Sequence, residues 1–180
     1  MLKQQIQNSI NESLKSGERF LVGTLRMLLA SIITKEKEKR YKISKEKPDA
    51  TEQNLIKDSE LTDEQIVEVI FSEIKKRNDA VALYERGNRQ ELAEIEKKEI
   101  EILKTYLPEQ LSEQELKKLI QESVAKVVGK VPKLAEGEPG SRPQSGLGNM
   151  GKIMADLMPK VKGRADNSEI SKIVKEMLAK

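Results

Sequence analysis

The chain has 180 residues, a formal charge of +3, 35% charged and 3% aromatic side chains, and neither cysteine nor histidine. Those absences exclude a disulfide framework, a thiolate metal site, a cysteine nucleophile and the residue that most often serves as general base or zinc ligand. High charge with few aromatics suits slender helices that each expose a wide polar face, so the expected fold class is all-α and multihelical.

Leu2, Ile6, Ile10 and Leu14 recur every fourth residue and form one apolar stripe, which Gly17 ends. A second helix is predicted over residues 18–39, burying Phe20, Leu21, Leu25, Leu28, Leu29, Ile32 and Ile33 and pairing with the first as a hairpin. Periodicity fails over 42–60, a polar segment with Pro48, which reads as an exposed connection with room for a short helix. Thr62 and Gln65 then have the spacing of a capping box, in which the hydroxyl accepts from an early helical amide and the glutamine reaches back. Ile66, Ile70, Ile74, Val81 and Tyr84 stripe the helix that follows, to Arg86.

Gly87 and Asn88 interrupt the pattern, and a further helix is predicted over 89–107 with Leu92, Ile95, Ile102, Leu103 and Tyr106 inward. Pro108 lacks an amide proton and disfavours helical geometry at Leu107, so an N-terminal helical domain is expected over 1–107. Ser112 and Glu115 repeat the capping box and open a C-terminal domain over 108–180, with Leu116, Leu119, Ile120, Val124 and Val127 inward. Residues 129–148 are dense in glycine and proline and read as a mobile loop. Met150, Ile153, Met154 and Leu157 stripe the next helix, which Pro159 is expected to stop. Asp166 with Glu169 is expected to cap the last, which carries Ile170, Ile173, Val174 and Met177, making the second domain a three-helix bundle.

Chemistry has few places to reside. There is no GxxxxGK[ST] loop for phosphates and no activated nucleophile, so no catalytic residue, metal or cofactor is expected. Glu91, Glu94, Glu96, Glu99 and Glu101 alternate with Lys97, Lys98 and Lys104, the pattern of a solvated helix face laced with ion pairs. No stretch approaches the roughly 20 apolar residues of a membrane span, and the N-terminus is polar and amphipathic, so a cytoplasmic location and no membrane partner are expected.

Acidic and basic side chains balance over 1–107, so the positive excess lies in 108–180. There, MPKVKGRAD crowds Lys160, Lys162 and Arg164 around Gly163 between a helix stop and a helix cap, with Lys152 one helix earlier. Two readings stay open: contact with RNA phosphates, which needs accessible cations and close approach of a backbone, or an interhelical turn in which Arg164 bonds the last carbonyls of a helix. Three or four phosphate contacts give a salt slope of about −2 to −4, and no nearby aromatic residue offers a platform for bases, so binding is expected to be weak, salt-sensitive and directed at structured RNA. Arg26, Lys76 and Arg77 are secondary basic candidates, Arg26 with a structural ion pair to Glu73 as its competing reading. The run Lys35, Lys37, Lys39, Arg40, Lys42, Lys45 and Lys47 is diluted by glutamates and reads as a solvated surface.

The stretch NMGKIMADLMPKVKGRAD at Asn149–Asp166, continued by SEISKIVKEML, combines with LPEQLS at Leu107–Ser112, EIKKRNDA at Glu73–Ala80 and TLRML at Thr24–Leu28. In this order, over nearly the whole chain, these segments resemble the GatB/YqeY family: free-standing YqeY proteins and the tail domain of the B subunit of the tRNA-dependent amidotransferase. The segments 42–60 and 129–148 are longer than is usual in that family. The resemblance implies a noncatalytic tRNA-associated module that positions tRNA for amidotransferase-like or other protein partners. It places the RNA-facing residues at Lys152, Lys160, Lys162, Gly163 and Arg164. A protein interaction adaptor with a purely structural basic turn is the alternative, and a carbon-nitrogen ligase using glutamine as amido donor is the activity that family association alone implies.

Overall fold

The computed structural model describes residues 1–128, 146–161, 163–165 and 167–178, and these hold eight α-helices and no strand. Contacts cluster into two compact units, Met1–Leu107 and Pro108–Lys180.

In the first unit, α1 (Leu2–Ser16) and α2 (Arg19–Glu46) form a hairpin, joined where Gly17 turns left-handed at φ 80° and the Glu18 amide donates to the Ser13 carbonyl at 3.0 Å. Three further helices complete the unit: α3 (Glu52–Ser59), α4 (Asp63–Arg86) and α5 (Gln90–Lys104). Helix α4 pairs most extensively with α5, while α2 touches all four others. Ile6, Leu25, Leu28, Ile32, Ile66, Ile70 and Leu103 are fully buried where these faces meet. The Thr62 capping box forms as the spacing requires, with the Gln65 amide donating to Thr62 Oγ1 at 3.3 Å and the Thr62 amide to Gln65 Oε1 at 3.2 Å.

Several expected core positions face solvent. A strict four-residue spacing drifts about 40° around a helix at each step, so Leu14 has left the buried face of α1 and Ser13 occupies it. Phe20 lies across α2 from Leu25 and Ile32, Ile33 sits at the edge of that face, and Ile95 is opposite Ala93 and Ile100 on α5; all three are exposed. Helix α2 also runs seven residues beyond its predicted end. Tertiary contacts anchor the start of that extension: Lys39 Nζ, at the predicted end, donates to the Glu60 carbonyl at 2.7 Å, and Arg40 Nε to Ser59 Oγ at 3.2 Å. One turn earlier Glu36, read as a diluting surface charge, is buried and accepts from Lys3 Nζ at 2.7 Å and from the Leu61 amide at 3.4 Å. The 42–60 connection accordingly contains the end of α2 and all of α3.

The second unit contains α6 (Glu113–Val128), α7 (Gly146–Val161) and α8 (Asn167–Leu178). Leu116 and Ile120 of α6, Ile153, Leu157 and Val161 of α7, and Ile170 and Val174 of α8 form its core. Most of the loop expected over 129–148 lies outside the described residues, as does Asp166, the expected cap of α8; residues 146–148 belong to α7. Pro159 does not stop α7. The carbonyl it deprives of a donor belongs to exposed Ala155, and the helix continues until Val161 is buried.

Candidate nucleic-acid interface

Chain reversal after α7 is built at Gly163, which takes a left-handed φ of 76° while the Arg164 amide donates to the Val161 carbonyl at 2.9 Å. Three further bonds tie this turn to the segment before α6. Gln110 Nε2 donates to the Gly163 carbonyl at 3.4 Å, the Leu111 amide to the Arg164 carbonyl at 2.9 Å, and Arg164 Nε to the Glu109 carbonyl at 3.3 Å. The Arg164 backbone thus takes the last carbonyl of α7, as the interhelical-turn reading expects, while its side chain bonds a carbonyl ahead of the start of α6. Its guanidinium stays exposed, and its charge reaches Glu115, whose carboxyl is held below the ordinary glutamate range chiefly by the Ser112 amide and hydroxyl. That pair is the second capping box: the Ser112 amide donates to Glu115 Oε2 at 2.9 Å and the Glu115 amide to Ser112 Oγ at 3.2 Å.

Along α7, Lys152, Asp156 and Lys160 fall four residues apart and share one face. Lys152 is exposed and makes no ion pair among the described residues. Lys160 is 39% exposed and pairs with Asp156 at 2.7 Å. Helix α6 brings Ser123 and Lys126 against the same carboxylate: Lys126 Nζ bonds Oδ1, and Ser123 Oγ donates to Oδ2 at 3.1 Å. Lys160 Nζ also lies 3.4 Å from Ser123 Oγ. These bonds, that of Lys126 first, hold the Asp156 carboxyl far below the ordinary aspartate range. Lys162 lies outside the described residues.

A family model described as Yqey-like protein matches residues 3–178. The chain belongs to the YqeY-like family. A protein of Schizosaccharomyces pombe described as uncharacterized is 28% identical over 111 residues, covering 62% of this chain and 76% of the relative.

The secondary candidates of this YqeY-like chain lie in the first unit and have diverged in fate. Arg77 is only 5% exposed: Nε donates to Glu99 Oε2 at 2.7 Å, and Nη1 to Glu73 Oε2 at 2.9 Å and to the Glu73 carbonyl at 3.2 Å. A guanidinium so enclosed locks α4 to α5 and is not presented to an external anion. Lys76 is exposed and bridges to Glu73 Oε1 at 2.7 Å, while Ser31 Oγ donates to the same oxygen at 3.2 Å. Arg26 is exposed and does not pair with Glu73, whose oxygens are taken by Arg77, Lys76 and Ser31. Within the acidic run, Glu91 pairs with Arg89 and Glu94 with Lys97 on the surface, whereas Glu99 turns inward to Arg77. Burial, then the charge of Glu99, raises the carboxyl of neighbouring Glu96. The lysine run read as a solvated surface is one only in part: Lys35 pairs with Glu38 at 2.9 Å and Lys47, just past α2, with Asp58 at 3.2 Å, whereas Lys39 and Arg40 are half-buried against residues 59–60.

Sequence reasoning missed Lys126 and Asp156. The i, i+4 spacing of Asp156 and Lys160 was a readable signal. Nothing in the sequence announced Lys126, because its role depends on which face of α6 packs against α7. Among the described residues no group of acidic side chains is arranged to hold a metal ion, and no helix is long and apolar enough to cross a membrane.

Proposed function

We propose that this chain is a noncatalytic RNA-associated module that positions tRNA, or a similar structured RNA, for partner proteins in glutamine-dependent amidation. The observation that carries this reading is the clustering of exposed cations in the second unit: Lys152 and Lys160 on one face of α7, with Lys126 alongside from α6. Arg164 on the turn, and Lys162 by its place in the sequence, would extend the set. Lysines and arginines so placed contact phosphates without reading bases, which suits recognition by shape. The likeness to the amidotransferase tail supplies the choice of tRNA and of amidation.

Electrophoretic mobility with deacylated tRNA tests it, using the chain and a variant carrying Lys160→Glu, Lys162→Glu and Arg164→Glu. Binding is expected at low salt with a slope of log affinity against log salt of about −2 to −4, and a tenfold or greater loss in the variant. Equal and negligible shifts at low salt would remove the RNA reading. Turnover of glutamine and ATP by the isolated chain would overturn the noncatalytic part. The adaptor alternative is favoured by one observation, the three bonds that tie the 163–164 turn to residues 109–111, which give that turn a structural purpose without a ligand. Partners that stay bound in a pull-down after nuclease treatment would favour it.

A further inference from the structure

Ser123, Lys126 and Lys160 converge on a single point, and the group they hold there is an anion supplied by the chain itself. Ser123 is fully buried and serves the carboxylate alone, but the two ammonium groups are donors that a phosphodiester would engage, since its unesterified oxygens accept as a carboxylate's do. The two lysines are 54% and 39% exposed while Asp156 is 19% exposed, so the carboxylate lies beneath the cations that cover it. Each ammonium carries three donors. Lys160 directs bonds to Asp156 and Ser123, and Lys126 to Asp156, which leaves donors on both lysines for a ligand arriving from solvent.

We propose that Asp156 is an internal counter-ion that attenuates RNA binding at this face, and that Lys126 is a phosphate contact of the same site. This rests on the RNA reading given above. With Asp156 ionised, the cluster of Lys126, Lys160 and Asp156 presents one net positive charge; without that carboxylate it presents two. The arriving phosphate therefore meets a field already partly cancelled, and binding stays weak and readily reversed. The same carboxylate fixes both lysines in place before the RNA arrives, so its removal trades order for charge. The exposed setting decides the balance in favour of charge, because long side chains at the surface gain little from being held in one geometry.

Fluorescence anisotropy with labelled deacylated tRNA, over a salt series, separates the possibilities for the full chain and for Asp156→Asn, Lys126→Gln and the double variant. Asp156→Asn is expected to bind three- to tenfold more tightly with a salt slope steeper by about one. Lys126→Gln is expected to weaken binding severalfold, and the double variant to return toward the parent. If the parent binds and Asp156→Asn binds equally or less well, the attenuator is overturned while the RNA reading stands. If neither binds at low salt, the RNA reading fails and this inference with it. Should Asp156→Asn not fold by circular dichroism, Lys126→Gln decides: affinity and slope unchanged from a binding parent overturn the site.

Discussion

Two charge clusters, one in each unit, combine cations and carboxylates to opposite ends. Between α4 and α5 the cation is at the centre, Arg77 flanked by Glu73 and Glu99, and all three side chains are shielded from water. Between α6 and α7 the anion is at the centre, Asp156 flanked by Lys126 and Lys160, and the cations reach solvent. Desolvation makes the difference. A buried guanidinium cannot lose its partners without leaving uncompensated charge, so it serves as a lock; an exposed lysine exchanges a carboxylate for water or another anion at little cost. The arginine fork satisfies two carboxylates on two helices at once, whereas the lysines act as point charges with donors to spare.

The sharpest way to break this contrast is to remove the buried cation. Arg77→Met strands Glu99 and leaves Glu73 with Lys76 and Ser31, and is expected to lower stability by about 3 kcal/mol in urea denaturation, with much of the loss recovered when Glu99→Gln is added. A loss below about 0.5 kcal/mol would show that the cluster is no lock. The same site carries a pH signature. Burial alone would raise the Glu73 carboxyl, but hydrogen bonds from Lys76 and Arg77 leave it below its ordinary value of 4.5. The unfolded chain therefore takes up this proton first, so the contribution is complete above about pH 4.5 and is lost as pH falls through the lowered folded value. Acid titration of the parent should show that loss, and Glu73→Gln should flatten it.

Smaller effects compare the units through the same local device. Thr62→Ala and Ser112→Ala each remove a capping-box hydroxyl, and each is expected to cost about 1 kcal/mol, read from the denaturation of the unit that holds it. Cost at Thr62 without cost at Ser112 would mean that the Ser112 box closes without holding its helix. The smallest change is expected at the surface. Lys126→Gln should leave the urea midpoint where it is, and a marked drop would turn the exposed cluster into a second lock.

Much of the fold was legible because its determinants are local. The Thr62–Gln65 and Ser112–Glu115 boxes, the Gly17 cap and the apolar stripes of α6, α7 and α8 depend on residues within a turn or two of one another. The misreadings have a common origin in helix geometry and long-range contact. Leu14, Phe20, Ile33 and Ile95 looked like core because they are apolar, but helix geometry sets each at an angle away from the face that neighbours distant in sequence bury. Arg77 reads in the sequence as a secondary basic candidate, and its placement between Glu73 and Glu99 encloses it instead.

By itself, then, the amino-acid order determined an all-helical chain, where most helices begin, and membership of the YqeY-like family, since propensity, capping and motif all act over short spans. Tertiary structure alone decided which charges are sealed and which are offered. That choice belongs to pairs such as Arg77 with Glu99 and Lys126 with Asp156, 22 and 30 residues apart, whose solvent exposure exists only once their helices pack.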